Sequence, residues 1–146
     1  MQGYISFRAA ALVIKDNKIL LAKNINHPCY YVVGGGIEIN ESSEDAIVRE
    51  LFEETGLKFE IDRLAIIQER FYEAANRKHH EIVFFYLMRY NADLNIPDNS
   101  FTDQGTRETL HWLPINDLEQ YNVVPEFLKT KSFDNMVKIE HIISYK

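Results

Sequence analysis

The sequence predicts an α/β fold in which a mixed central sheet carries a helix on each face. Three observations support this prediction: a capped amphipathic helix over 43–55, a nearly continuous apolar run, IVFFYLM, within 81–90, and a second short helix over 125–131. An apolar strand without polar alternation is typical of a central position covered on both faces. We therefore expect the longer helix on one face of the sheet and the C-terminal helix on the other.

The helix over 43–55 has sequence signals at both ends. Ser42 suits the N-cap, because its hydroxyl can accept a hydrogen bond from a first-turn N–H, and Asp45 places a negative charge at the positive end of the helix. Gly56 suits the position after the helix, where a left-handed conformation is common. At 100° per residue the predicted apolar arc comprises Ile47, Val48, Leu51, Phe52 and Thr55.

Carboxylates are concentrated near the end of this helix, on the face opposite the apolar arc. Glu53 and Glu54 lie in the last turn, where the helix dipole disfavours negative charge by roughly 0.3 to 1 kcal/mol each, and Glu50 repels both. A solvated acidic face usually places Lys or Arg four residues from Glu, and here only Arg49 with Glu53 has that spacing. A bound cation would remove the repulsion. Magnesium fits best, because it takes carboxylate oxygens and bridges to substrate phosphates.

Three glycines precede the helix and come directly after a short strand predicted over 30–33. Gly34, Gly35 and Gly36 let the backbone approach an anion or offer a carbonyl oxygen to a metal. A glycine triplet alone is weak evidence, so its meaning depends on the residues that come after it in the chain.

The glycines and the acids together match a family motif. From Gly35 the chain has five residues, Glu41, seven residues, and then RELFEETGL ending at Leu57. This matches the Nudix box, Gx5Ex7REUxEExGU, at every specified position. The chain therefore resembles the Nudix hydrolases over 23 of its 146 residues. Nearby, Val33 stands where Pro is frequent and Asn40 where Gly is frequent, but Asn tolerates positive φ.

The resemblance implies an α/β/α sandwich and magnesium-dependent hydrolysis of a nucleoside diphosphate linked to another moiety, with manganese as a substitute metal. Glu50, Glu53 and Glu54, with the Gly34 carbonyl, are then expected to hold the metal and to activate water. One of the acids takes the proton from that water, and Glu53 is the first choice.

Other residues near the box are expected to support these acids and the substrate. Arg49 should orient Glu50 or Glu53 through a charge-assisted hydrogen bond rather than contact the substrate. Glu38 and Glu41 should brace the loop or add outer contacts to the metal. The backbone at Gly35 and Gly36 is expected to bind substrate.

Nudix enzymes commonly recruit one more carboxylate from outside the box. Glu81, at the start of the predicted strand over 81–90, is the first candidate as metal ligand or base. Glu108 and Asp103 are the alternatives, and each of the three is otherwise an ordinary surface acid.

Candidate substrate contacts lie on the predicted strands. A hairpin is predicted with strands over 4–14 and 19–23, and Arg8 and Lys23 are the only cations on these two strands. They either meet phosphates or line a solvated face. Tyr72 and its neighbour Phe71 either stack on a base or belong to the core.

The remaining segments are predicted more coarsely. Strands over 59–73 and 81–90 are joined by a polar loop over 74–80, and a long surface loop covers 95–107. A strand over 108–113 carries Trp112, which is expected in the core. The tail over 136–145 is expected to add an edge strand or to pack across a partner in a homodimer.

Composition argues against several classes of function. The net charge is −6 and no basic block occurs, so duplex nucleic acid is not an expected partner, whereas a nucleotide needs only a local site. No apolar run approaches the ~20 residues of a membrane span, and the N-terminus lacks a signal-peptide core. We expect a single cytoplasmic domain over 1–146 without a membrane partner, and a free, buried thiol at the single cysteine, Cys29.

Two rival functions fit the sequence less well than hydrolysis. A non-catalytic Nudix domain that senses a nucleotide would be expected to lose an acid of the box or to carry a DNA-binding domain. An isoprenoid diphosphate isomerase would require a catalytic cysteine in a recognisable setting, which Cys29 lacks.

Overall fold

The computed structural model describes residues 3–91, 93–134 and 136–145. Within them the chain forms one α-helix, α1 (Ser43–Thr55), and eleven strands. The strands before the helix are β1 (Gly3–Leu12), β2 (Ile14–Lys15), β3 (Lys18–Asn24), β4 (Tyr30–Val32) and β5 (Gly34–Gly36). Those after it are β6 (Glu60–Ala74), β7 (Arg77–Arg89), β8 (Ser100–Phe101), β9 (Glu108–Pro114), β10 (Val123–Val124) and β11 (Glu140–Tyr145). Two 3₁₀ segments cover Ile115–Gln120 and Glu126–Lys129.

The strands form two mixed sheets. One has the order β11-β6-β7-β1-β5, and the other has the order β10-β4-β3-β9-β8 with β2 paired to β3. In the first sheet β1 runs parallel to β7 and antiparallel to β5, which places Arg8 opposite Gly36 and Ala10 opposite Gly34. The glycines therefore lie directly beside the middle of β1.

Alternate residues of the strands face two separate apolar layers. Ala9 and Leu20 pack with Ile47 of α1, whereas Ala10 and Leu21 pack with Leu128 and the 3₁₀ segments. This confirms the predicted α/β class, with helical cover on both faces. The C-terminal cover is a 3₁₀ turn rather than the predicted α-helix, because its hydrogen bonds join residues three apart, as in Leu128 N–H to the Pro125 carbonyl.

The predicted N-terminal hairpin is wrong in extent. Its turn is correct, since Asp16 and Asn17 have φ of 50° and 61°, but only the two residues of β2 pair with β3. The rest of the segment, β1, pairs with β7 and β5 instead. The buried half of β1 at 9–12 needs a neighbouring strand on both sides, which a two-stranded hairpin cannot provide.

The polar loop predicted over 74–80 is also wrong. Ala75 and Asn76 alone form the turn, with φ of 52° and 58°, and β7 begins at Arg77. Alanine is uncommon at positive φ, so the sequence carried little turn signal there.

The later segments agree better with expectation. β11 forms the predicted edge strand, parallel to β6. Trp112 packs on the α1 side of the core, and its Nε1–H donates to the Ile96 carbonyl at 2.8 Å.

Cys29 is buried and free, as expected. No helix in the described part of the chain is both long and apolar enough to cross a membrane.

Candidate active site

The helix α1 has the predicted bounds and caps. The Ser42 hydroxyl accepts a hydrogen bond from the Asp45 N–H at 3.0 Å. Gly56 is left-handed, with φ of 73°, and its N–H donates to the Phe52 carbonyl at 2.8 Å. The carboxylates of the last turn are therefore held on a well-defined helix end.

The buried side of α1 is rotated relative to the predicted apolar arc. Ile47 and Leu51 are buried as expected, but Phe52 is 56% exposed and Glu54 is only 7% exposed. The Glu54 backbone is fixed from outside the helix, since its carbonyl accepts from the Asp103 N–H at 2.7 Å. A carboxylate thus takes a core position that the sequence pattern had assigned to solvent.

One carboxylate oxygen of Glu54 has no hydrogen-bond partner among the described residues. This oxygen, Oε2, is buried. Burial, followed by the negative charges of Glu50 and Glu53, raises the pKa of Glu54 to about 8, while Arg8 acts in the opposite direction. A buried carboxylate oxygen without a donor is costly, so this atom requires either a proton or a cation.

Arg49 is the centre of the polar network on the outer side of the helix. Its Nε and Nη2 donate to both oxygens of Glu41 at 2.7 and 2.9 Å. Its Nη1 reaches Glu50 at 3.0 Å and Glu53 at 3.3 Å, and its Nη2 also donates to the Gly36 carbonyl at 3.0 Å. The guanidinium therefore ties the glycine segment to two of the three acids.

Glu41 is the strongest partner of Arg49. The hydrogen bonds from Arg49, with a further one from the Glu38 N–H at 3.0 Å, lower the pKa of Glu41 to about 2. The same contact raises the pKa of Arg49. Asn40, where the box usually has glycine, has φ of 64°, so it accommodates the turn as expected.

The three glycines differ in what surrounds them. A side chain at Gly34 would overlap the Ala9 carbonyl, and one at Gly35 would overlap the Glu50 carboxylate. At Gly36 a Cβ would have nothing within 4 Å. Gly34 is thus required by strand packing, and Gly35 by the position of an acid.

The carboxylates of Glu50, Glu53 and Glu54 suit a hard divalent cation, but they are not yet arranged as a complete coordination shell. Across residues 3–91, 93–134 and 136–145, no three His, Cys, Asp or Glu side chains converge as metal ligands. Glu50 and Glu53 contact Arg49 instead. The buried, unpaired oxygen of Glu54 and the adjacent charges are nonetheless what Mg²⁺ would satisfy, because it prefers carboxylate oxygens.

A cleft of about 320 Å³ opens beside the glycines, between β1, β6 and β7 of one sheet and β4 and β10 of the other. Its polar side chains are those of Arg8, Tyr31, Gln68, Arg70, Tyr72 and Glu81, and Gly34 also lines it. Gln68 and Arg70 were missed in the sequence. Gln68, Arg70 and Tyr72 are alternate residues of β6. Because alternate side chains of a strand lie on one face of the sheet, the sequence could have placed Gln68 and Arg70 on the same face as Tyr72.

The other predicted residues lie outside the cleft or at its margin. In the described chain the cleft lining does not include Lys23, which pairs with Tyr30 and Thr109 on the second sheet. Glu108 accepts a short hydrogen bond from the Tyr31 hydroxyl, and Tyr31 does line the cleft. Asp103 packs against Gly56, behind the helix end.

The Glu81 carboxylate contacts Tyr72 and Arg70 in the cleft, and both of these residues lie outside the box. Its Oε2 accepts from the Tyr72 hydroxyl at 3.0 Å, and its Oε1 lies 3.5 Å from Arg70 Nη1. The Tyr72 ring stacks on the His79 ring, with the two centroids 4.6 Å apart, and the Arg70 guanidinium lies 4.1 Å from the centroid of the Tyr72 ring. Phe71 stacks between His80 and Tyr145. Both aromatic candidates therefore already contact protein groups.

Comparison with known proteins identifies the family of the chain. A family model described as the NUDIX domain matches residues 6–131. The chain belongs to the Nudix family. As a fold match, the crystal structure of a MutT NUDIX hydrolase from Burkholderia pseudomallei aligns with this Nudix domain at a TM-score of 0.61 and 25% identity, covering 79% of this chain and 87% of that one.

Two curated relatives share parts of this Nudix domain. The ADP-ribose pyrophosphatase of Methanocaldococcus jannaschii is 51% identical over 49 residues, which cover 32% of this chain and 29% of that protein. Diphosphoinositol polyphosphate phosphohydrolase 2 of Homo sapiens is 36% identical over 114 residues, which cover 75% of this chain and 58% of that protein. The match spans less than two thirds of either relative.

Proposed function

We propose that this Nudix domain hydrolyses the diphosphate linkage of a nucleoside diphosphate joined to another moiety, with Mg²⁺ as cofactor and Mn²⁺ as a substitute. Family membership and the complete box support this reading. The names of both curated relatives describe hydrolases that act on diphosphate-containing compounds, which agrees with it. Nucleoside triphosphates, dinucleoside polyphosphates and nucleotide sugars all contain the required linkage.

One observation carries the proposal: the buried Oε2 of Glu54 has no donor among the described residues while Glu50 and Glu53 add negative charge around it. A helix end built only for stability would not retain such an arrangement, because each uncompensated charge destabilises the fold. An enzyme that binds a divalent cation during catalysis needs such a cluster of carboxylates as its metal ligands.

In this proposal Glu50, Glu53 and Glu54, with the Gly34 carbonyl, would hold the cation. When bound, the cation neutralises the diphosphate and lowers the pKa of a water molecule. Glu53, which is the most exposed of the three at 41% of its side chain, accepts the proton from the attacking water. The water oxygen bonds to phosphorus, and the bond from phosphorus to the bridging oxygen breaks.

Arg49 serves as a positioning residue. Its hydrogen bonds to Glu50 and Glu53 fix both carboxylates, and its bond to the Gly36 carbonyl fixes the glycine segment against the helix. Glu41 holds the guanidinium from the other side with two hydrogen bonds. A planar, bidentate contact of this kind restricts both partners more than a lysine would.

Arg8 and the glycine backbone form the phosphate side of the proposed site. Arg8 lines the cleft, is exposed, and lies opposite Gly36 on the neighbouring strand. Its positive charge already acts on Glu54. A diphosphate between Arg8 and the acids would therefore contact a cation on one side and the bound metal on the other.

We also propose that the partner is a small molecule rather than duplex nucleic acid or a membrane, given the net charge of −6. The free, buried Cys29 agrees with a reducing cytoplasm. We also propose that residues 1–146 form a single domain. Assembly into a homodimer is a further proposal.

The test is a hydrolysis assay with nucleoside triphosphates, dinucleoside polyphosphates, nucleotide sugars and capped species, with and without Mg²⁺. Wild type is compared with Glu53→Gln and Glu54→Gln, and with Glu44→Gln as a control on the exposed first turn of the same helix. We expect metal-dependent hydrolysis that the first two variants lose by at least about a hundredfold and the control retains. If every compound stays intact, or if Glu53→Gln is as active as wild type, the proposal is wrong. Tight nucleotide binding without cleavage would support the sensor function instead.

A further inference from the structure

A charged pair at the far side of the cleft has no role in the proposed chemistry. Glu81 and Arg70 line the cleft together, and their side chains are 12% and 27% exposed. Tyr72 orients the pair, because its hydroxyl donates to Glu81 and its ring lies under the Arg70 guanidinium. The two charges are thus fixed in place and accessible from the cleft.

Both members of the pair retain hydrogen-bonding capacity. A carboxylate has about four acceptor positions and a guanidinium has five donors. Within the described residues, Glu81 accepts from Tyr72 and Arg70, and the Arg70 side chain donates only to Glu81, at the long distance of 3.5 Å. A ligand in the cleft can therefore still donate to Glu81 and accept from Arg70.

The strand register places this pair beyond the proposed phosphate site. Glu81 is opposite Ser6, two residues along β1 from Arg8, so the two backbone positions are separated by about 7 Å along the strand. The charges that shift the pKa of Glu54 come from Glu50, Glu53 and Arg8, and among the described residues Glu81 does not contribute. The pair is therefore positioned to meet the group attached to the diphosphate, at a distance from the box acids.

The charges of the pair favour a neutral group. Arg70 would attract a phosphate at this point, but Glu81 beside it would repel the same phosphate. A hydroxyl group suffers neither effect, since it donates to the carboxylate and accepts from the guanidinium. Two adjacent hydroxyls match two adjacent side chains of opposite charge.

Stacking of a base on Tyr72 is a weaker alternative. The Tyr72 ring already stacks on His79 with an interplanar angle of 6° and also contacts Arg70. A base would have to displace one of these groups.

We propose that Arg70 and Glu81 form a specificity site that binds two adjacent hydroxyls, a vicinal diol, of a sugar attached to the diphosphate. The preferred substrates are then nucleoside diphosphate sugars rather than compounds with a further phosphate at that position. This inference rests on the proposed hydrolase function and names its substrate class.

The test compares ADP-ribose with its analogue that lacks the 2-hydroxyl of the distal ribose, and ADP-glucose with its analogue that lacks the 3-hydroxyl of the glucose. Neither analogue retains two adjacent hydroxyls on that sugar. Wild type should show kcat/KM values about ten- to a hundredfold higher for the intact sugars, the usual effect of losing a hydrogen bond to a charged group. Glu81→Gln and Arg70→Gln should reduce this preference to less than about threefold, mainly by raising KM for the intact sugars. Glu69→Gln is the matched control, since Glu69 neighbours Arg70 on the opposite face of β6 and pairs with His141 at 2.6 Å.

The outcomes separate this inference from the hydrolase proposal. Hydrolysis of triphosphates without hydrolysis of either sugar compound, or equal rates for intact and deoxy sugars in wild type, overturns the inference and leaves the hydrolase intact. A uniform loss of kcat in Glu81→Gln with a higher Mg²⁺ requirement would assign Glu81 to the metal, and this also overturns it. If Glu81→Gln melts well below wild type, Arg70→Gln provides the deciding comparison.

Discussion

The carboxylate of Glu50 occupies the space in which a side chain at position 35 would begin. A Cβ added to Gly35 would overlap the carboxyl carbon and both oxygens of Glu50, whereas one added to Gly36 would touch nothing within 4 Å. The absence of a side chain at one position of β5 therefore sets the position of an acid on α1. Strand and helix are coupled at the proposed metal site.

Gly35→Ala should displace Glu50 and weaken Mg²⁺ binding by about ten- to a hundredfold, the usual cost of disturbing the surroundings of a metal ligand. Isothermal titration with Mg²⁺ measures this directly. Gly36→Ala is the matched control, because its methyl group has room and should leave the Mg²⁺ affinity unchanged. Equal affinities for the two variants would contradict the coupling between Gly35 and Glu50.

Glu54 should make the metal-free protein less stable as the pH rises. Its pKa is about 8 in the folded protein and 4.5 in the reference state, so between these values the folded state keeps a proton that the unfolded state has lost. The stabilising contribution is complete below about pH 4.5 and is lost as the pH rises through 8. The effect is on the order of a few kcal/mol.

Urea unfolding in EDTA between pH 5 and 9 measures this contribution. Glu54→Gln should show a smaller decline than wild type over that range, and Mg²⁺ added to wild type at pH 7 should release a proton. Parallel stability curves for wild type and Glu54→Gln would show that Glu54 is ionised without metal.

Arg49→Lys keeps the charge but loses the planar fork that contacts Glu41, Glu50 and the Gly36 carbonyl together. We expect kcat to fall by about ten- to a hundredfold with a smaller change in KM, because acids are misplaced while substrate contacts remain. Steady-state kinetics at saturating Mg²⁺ checks this. Arg63→Lys, at an exposed position of β6, is the control and should behave as wild type.

Asn40 has φ of 64°, a conformation that glycine adopts freely and most side chains do not. Asn40→Gly should therefore change the free energy of unfolding by only a few tenths of a kcal/mol, whereas Asn40→Ala should cost about 1 to 2 kcal/mol. Chemical denaturation of the two variants tests the difference. A larger loss for glycine than for alanine would show that the Asn side chain, and not the backbone, is what the turn requires.

Local features of the sequence determined the box helix and its surroundings. Ser42, Gly56 and Asn40 act through their own backbone and side chains within a few residues, so their spacing was sufficient to predict the caps and the turn. The crowding of Glu50, Glu53 and Glu54 on one helix end was visible for the same reason. The Nudix family and the α/β class could be inferred from these features.

Only the tertiary structure decided what lies next to the helix and across the strands. The burial of Glu54, the parallel pairing of β1 with β7 and the contact of Tyr72 with His79 depend on partners far apart in the chain. The meeting of Arg70 with Glu81 depends on a hairpin whose turn the sequence barely marks. Capping and repulsion within a helix act between neighbours in sequence, whereas burial and cross-strand contacts arise only when distant segments pack together.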